Sequence, residues 1–305
     1  MICNKFKQYL NSSIERISAI ESQVFSSDEG DVEYKLDGNG PTILISHGVT
    51  GGVDQGMGLA GRYLGKGYRF LYVSRFGYLK STFPTHPSPK LQAKAYNDLL
   101  DFLKINSVFV LGNSAGGASA IHFAIDYPEK CQGLILISSV VPGKVDAPPP
   151  RIFMKVVVGS DLLYWITITL FGRSMLHMFV PESIDRKISQ EERNMLIEEV
   201  FLNGLPITKR TKGILFDTYI SNPSINDDHA YGKISSPTLI LHAVDDPAPP
   251  IEGARFISGK IPNCKFQSFA TGGHLILDHE NEIRNIFHNF VFRGIGIEQS
   301  VNLIK

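Results

Sequence analysis

Residues 107–127 read SVFVLGNSAGGASAIHFAIDY. An apolar, β-branched run at 108–111 leads into Gly112-Asn113-Ser114-Ala115-Gly116-Gly117, and a helical pattern follows with Ala118, Ile121, His122, Ala124 and Ile125. Strand, tight glycine-rich turn and helix form the setting in which G-x-S-x-G presents a serine as a nucleophile. The turn strains the serine backbone, and a Cβ on the flanking glycines would collide with the neighbouring strand or helix. The spacing predicts a Ser114 hydroxyl above a sheet at a helix N-terminus, where backbone N–H groups and the helix dipole favour developing negative charge. An ordinary glycine-rich loop can carry the same residues. The strand before it and the helix after it favour the nucleophile.

Outward from this stretch the alternation continues on both sides. Residues 31–36 and 42–46 read as two strands of a hairpin around Asp37-Gly38-Asn39-Gly40. The loop His47-Gly48-Val49-Thr50-Gly51-Gly52 follows, then a helix at 55–64 and a strand at 69–74. Pro84, Pro87 and Pro89 delay the next helix to 91–103. Past the central stretch come strands at 133–139, 237–242 and 266–269, with helices at 251–258 and 280–292. Short apolar strands alternating with helices imply an α/β fold, a mostly parallel sheet with helices on both faces.

The rhythm breaks between residues 140 and 231, where Pro142 and Pro148-Pro149-Pro150 mark a boundary and apolar helical runs follow. The sequence divides into an N-terminal amphipathic helix (1–28), a core made of 29–142 and 231–305, and an inserted helical cap (143–230). The cap's Phe153, Trp165, Phe171, Met175 and Phe179 are expected to face the mouth of the sheet. In the N-terminal helix, Ile14, Ile17 and Ile20 recur at helical spacing, with Phe6 and Leu10 near the same face, to pack on the body or a partner.

Bulk properties limit the function. The chain has 305 residues, 43% hydrophobic and 20% charged, which is globular. Thirty basic and thirty acidic side chains cancel, so no bulk charge argues for nucleic acid. Cys3, Cys131 and Cys264 are scattered, which suits a reducing, cytoplasmic setting without disulfides. Asn11, Ser12, Ser13, Glu15 and Arg16 interrupt any secretory h-region. The run 156–171 is shorter than the ~20 residues a bilayer span requires, so no stable membrane insertion is expected. Expected partners are a small-molecule substrate and, at most, a second copy as a homodimer.

A serine alcohol needs a base in hydrogen-bond reach, and the base needs an acid to orient it. Ser114, Asp246 and His274 occur in the order Ser…Asp…His, each after the C-terminal end of a predicted strand, where open α/β sheets place their sites. Asp245 is the fallback acid, with a turn cap as its plain role, and Asp146 is a remote third. His242 reads as a core histidine, His279 lies too deep in the helical approach, and His47 reads as a structural brace. Backbone N–H groups of Val49 and Ala115 are the expected oxyanion donors. Arg75 reads as a salt-bridged surface arginine, with lining the entrance or binding a carboxylate as the alternatives. No Gly-Lys-Ser/Thr follows the glycines at 48–52, and no metal-ligand spacing occurs, so neither a cofactor nor a metal is expected.

His47-Gly48, Gly112-Asn113-Ser114-Ala115-Gly116-Gly117, Asp245-Asp246-Pro247 with Pro250, and Gly273-His274 together resemble the α/β-hydrolase family over nearly the whole chain. With Gly51-Gly52, Asp54-Gln55-Gly56 and residues 74–79 (SRFGYL), the chain looks like a bacterial-type subgroup of capped hydrolases. The Gly-Asn-Ser-x-Gly-Gly turn is similar to that of the meta-cleavage C–C hydrolases. Ala243 and Ser74 depart from the usual pattern, at positions outside the triad. The resemblance implies a capped serine hydrolase acting on a small, apolar ester or related acyl group. C–C bond hydrolysis and a slow-turnover ligand sensor on the same fold are the alternatives.

Overall fold

The computed structural model describes residues 2–143 and 147–294. Eight strands form one sheet: β1 (Gln23–Ser27), β2 (Gly30–Gly38), β3 (Thr42–Ser46), β4 (Arg69–Val73), β5 (Val108–Asn113), β6 (Cys131–Ile137), β7 (Thr238–Ala243) and β8 (Cys264–Phe269). Their spatial order is β1-β2-β4-β3-β5-β6-β7-β8. From β4 to β8 every pairing is parallel, whereas β2 runs antiparallel to β1 and β4.

The helices are α1 (Ile2–Ser18), α2 (Val53–Leu59), α3 (Pro89–Phe102), α4 (Gly117–Asp126), α5 (Arg151–Val158), α6 (Asp161–Leu176), α7 (Glu182–Asp185), α8 (Gln190–Val200), α9 (Thr211–Phe216), α10 (Asn222–Ser224), α11 (Ile251–Lys260) and α12 (Glu280–Gly294). Alternate residues of β5 serve opposite layers. Val108 and Val110 pack with α3, α4 and α11, and Phe109 and Leu111 with α2 and α12. Burial on both faces explains why the central strands are continuous apolar runs.

The expected hairpin at 37–40 is not formed, because β4 lies between β2 and β3. The link must cross about two strand spacings, roughly 10 Å, and it does so over the start of β4. Gly38 (φ 83°) and Gly40 (φ 120°) lie against the backbone carbonyls of Tyr68 and Gly67, where a Cβ would overlap. The glycines that read as a turn are there for this close crossing. The N-terminal region also differs from expectation. The helix ends at Ser18, and residues 23–27 form β1, paired with β2. The inward face of α1 holds Phe6, Leu10, Ser13 and Ile17, while Ile14 is exposed.

Residues 151–224 carry α5 to α10 as an insertion between β6 and β7, with its own apolar cluster around Tyr164, Trp165, Ile168 and Leu196. Trp165 faces this cluster and stacks near Phe6 of α1, with ring centroids 5.8 Å apart. Phe153 and Phe171 point to solvent, contrary to expectation. The amphipathic pattern could not choose between faces because both sides of α6 are apolar. No single described helix is long and apolar enough to cross a membrane.

Gly38→Ala combines a left-handed backbone with overlap and is expected to cost about 3 kcal/mol. Gly67→Ala, also at positive φ (96°) but with open space around it, should cost only about 1 kcal/mol. Urea unfolding midpoints of the two variants check the contrast.

Candidate active site

Ser114 follows β5 with φ 49°, a left-handed conformation that non-glycine residues adopt rarely. Two glycines make the turn possible. A Cβ on Gly116 would overlap the Ser46 carbonyl at the end of β3, and one on Gly117 would overlap the Ser139 hydroxyl. The start of α4 can therefore run directly against the sheet, which lifts Ser114 above its edge.

The other two predicted side chains converge on it. His274 lies in the turn after β8, with its Nε2 3.0 Å from Ser114 Oγ. Its Nδ1 lies 2.9 Å from Asp246 Oδ2 and 3.2 Å from Oδ1. Asp246 lies in the turn after β7 with its carboxylate fully buried, and Oδ1 also accepts the Ala248 N–H at 2.8 Å. Asp245 makes no contact with the imidazole. It accepts the Gly273 N–H at 2.9 Å and so fixes the turn that carries His274. His242 is buried behind Asp246, with Nε2 donating to the Pro249 carbonyl at 2.9 Å. His279 pairs with Glu282 outside the site. Asp146 lies outside the described residues, as does the side chain of Cys3.

The loop after β3 completes the site. Val49 lines the cleft beside Ser114, and Ala115 follows Ser114 with 1% exposure, outside the cleft lining. Among the described residues, neither backbone N–H donates to another backbone group. The Gly48–Val49 peptide is held from several sides. The Gly48 N–H donates to Gln55 Oε1 (2.8 Å), and Gln55 Nε2 donates to the Val49 carbonyl (3.2 Å). The Gly48 carbonyl accepts from His47 Nδ1 (2.7 Å) and Arg75 Nη2 (3.2 Å). The Arg75 N–H donates to His47 Nε2 at 3.0 Å, so the proton of a neutral imidazole sits on Nδ1. Complete burial, and then the positive charge of Arg75, push the His47 pKa well below its ordinary value. His47 is thus the neutral brace its position suggested.

Sequence reasoning missed the groups that clamp this loop to the insertion. Arg75 is buried, not on the surface. It binds both oxygens of buried Asp217, at 2.7 and 2.5 Å, and Tyr78 donates to the same carboxylate. Arg210 is fully buried and reaches the Gly51 carbonyl and both oxygens of Asp54. Arg16 of α1 binds Asp54 at 2.9 Å and the Asn203 carbonyl at 2.7 Å. The adjacent Asp54-Gln55 in the first turn of α2 was the available signal. Its partners lie up to 156 residues away.

These elements border an open cleft. Its apolar lining includes Val49, Leu59, Phe179 and Leu275, and its charged lining Arg16, Arg62 and Glu199. Of the aromatic residues expected to face it from the insertion, Phe179 does so, 5.4 Å from the His274 ring between centroids. Among the described residues, no three His, Cys, Asp or Glu side chains are grouped to hold a metal ion.

Strand order and site position define an α/β-hydrolase fold. A family model for the alpha/beta hydrolase fold matches residues 41–164. A 2-hydroxy-6-oxononadienedioate/2-hydroxy-6-oxononatrienedioate hydrolase from Pseudomonas sp is 26% identical over 87% of this chain and 93% of its own length. A poly(3-hydroxyalkanoate) depolymerase from Ectopseudomonas oleovorans is 28% identical over 65% of each chain. An alpha/beta hydrolase fold protein from Nakamurella multipartita superposes with a TM-score of 0.69, at 24% identity, over 90% of this chain and all of its own. The chain has the α/β-hydrolase fold and is a hydrolase of that fold.

Asp54 shows the strength of the clamp. Burial alone would raise its pKa, but Arg210 and Arg16 overcome that and hold it at about 2, below its ordinary 3.8. A folded-state pKa below the unfolded one contributes stability above the unfolded value and loses it on acidification. We expect about 2 kcal/mol, complete above pH ~4 and lost towards pH ~2, at ~1.4 kcal/mol per pKa unit. Asp54→Asn should lose this part of the acid dependence, as measured by urea unfolding from pH 2 to pH 6.

Proposed function

We propose that the chain is a serine hydrolase that cleaves a small, apolar ester or related acyl substrate through an acyl-enzyme. The observation that carries this reading is the relay from Ser114 Oγ through His274 to Asp246, at 3.0 and 2.9 Å. Ser114 attacks the carbonyl carbon while His274 Nε2 takes its proton, and Asp246 stabilises the imidazolium. Val49 and Ala115 N–H groups receive the oxyanion. His274 then protonates the leaving alcohol, and a water activated by the same imidazole releases the acid. The cap's Phe179 and the apolar lining take the acyl group.

Arg75 and His47 matter here because they hold the carbonyl end of the peptide whose N–H is the Val49 donor. With Gly48 O fixed by two donors, that N–H cannot rotate away from the oxyanion. Such preorganised donors cost no reorganisation when charge develops.

The name of the Pseudomonas relative raises a second reading, C–C hydrolysis of a dicarboxylate. The cations at this cleft argue for the neutral ester. Arg16 is bound to Asp54, and Arg62 to Glu199 at 2.9 Å with Glu280 at 3.9 Å. Arg62 is therefore offset, and Arg16 and Arg210 share the one carboxylate of Asp54, so the group carries a single surplus positive charge, half of what a dianion would need.

Two outcomes follow. A p-nitrophenyl ester series should show multiple turnovers, and Ser114→Ala should lower kcat about 10⁴-fold or more. Full turnover in that variant would refute the reading, and a single burst without turnover would favour the ligand sensor. Val49→Pro removes one donor and should lower kcat ~10²–10³-fold with little change in KM, whereas Val49→Ala should be nearly silent.

A further inference from the structure

We propose that the exposed apolar face of α5 and α6 docks reversibly on a lipid surface that carries anionic headgroups. This goes beyond the ester reading and does not depend on it.

The face is unusual for a protein in water. Ile152, Phe153 and Val156 of α5 are 81%, 57% and 54% exposed, and Leu170 and Phe171 of α6 are 68% and 58% exposed. Exposed apolar residues in such number on two adjoining helices mark an interaction site more often than a plain surface. The two helices together have the hydropathy of a membrane segment, but they meet at a bend of 104°. Neither helix is long enough to cross ~30 Å of hydrocarbon, at ~1.5 Å per residue. A bent pair of this composition suits the plane of an interface, as amphipathic surface helices do.

Charge selects the occupant. On α5, Arg151 and Lys155 lie one turn apart and share one edge of the exposed arc. Ile152, Val156 and Phe153 form the adjoining stripe, and Met154, Val157 and Val158 turn inward. This is the arrangement in which basic side chains reach headgroups beside buried apolar ones. Exposed Lys209 and Lys212 lie at and just before α9, which packs on α5. The acids of α5, α6 and α9 together come to Asp161, which is engaged by the N–H and hydroxyl of Thr208. Arg173 of α6 adds a further exposed cation, 3.4 Å from Asp185. A second copy of the chain fits less well, because a two-fold contact through this face would bring the same cations together. Anionic headgroups match them.

The test is flotation of the full chain with vesicles of phosphatidylcholine alone or mixed with phosphatidylglycerol. Wild-type protein should float with the anionic vesicles, on the order of tenfold more tightly than with the neutral ones, and less so as salt rises. The double variant Phe153→Ser, Phe171→Ser should stay unbound with an unchanged melting temperature, because both side chains are exposed. If that variant melts early, Ile152→Ser at the most exposed position gives the same readout. The proposal is overturned if wild-type protein stays unbound, or if the folded variant floats equally well. It is also overturned if light scattering shows a wild-type dimer that the variant dissolves, since the face then belongs to a second copy. None of these readouts uses ester turnover, so a failure here and a failure of the serine hydrolase reading are told apart.

Discussion

The first turn of α4 presses against the end of β3 with no side chain between them. Gly116 lies where any Cβ would meet the Ser46 carbonyl. That single close approach sets the height and direction of Ser114 and forces its φ to 49°. It also brings the residue after β3 alongside the serine, since even a Cβ on Gly48 would come within 3.1 Å of Ser114 Cβ. The Ser114 hydroxyl and the loop after β3 are therefore placed by one contact between a strand and a helix. The histidine and the acid then need only lie at the ends of neighbouring strands, which the parallel order of β6, β7 and β8 supplies.

Rigidity around that contact comes from charge. Two buried ion pairs, Arg75–Asp217 and Arg210–Asp54, tie the loop at 47–52 to the insertion. Breaking either would leave an uncompensated buried charge, a cost of about 3–5 kcal/mol. The His274 backbone N–H donates to the Phe179 carbonyl at 2.7 Å, which ties His274 to the insertion as well. The insertion is therefore part of the site's frame.

The candidate site was more legible than the frame. Ser114 and Asp246 each follow a buried apolar strand and His274 follows the half-polar edge strand β8, and local spacing finds strand ends well. The β-strand at 23–27 was missed because QVFSS is short, half polar and directly follows a helical pattern. The hairpin was mistaken because a glycine-rich link reads the same whether it reverses between neighbours or crosses a third strand. Arg75 was misplaced because its partner Asp217 is 142 residues away, and no local pattern carries that information. Phe153 and Phe171 were assigned to the mouth of the sheet on apolarity alone, which does not say which face turns inward.

The most direct test is to react the protein with a fluorophosphonate probe and map the adduct by peptide mass spectrometry. The account predicts one stoichiometric adduct on Ser114, lost when His274 is replaced by Ala. An unlabelled Ser114, or labelling that persists without His274, would contradict it.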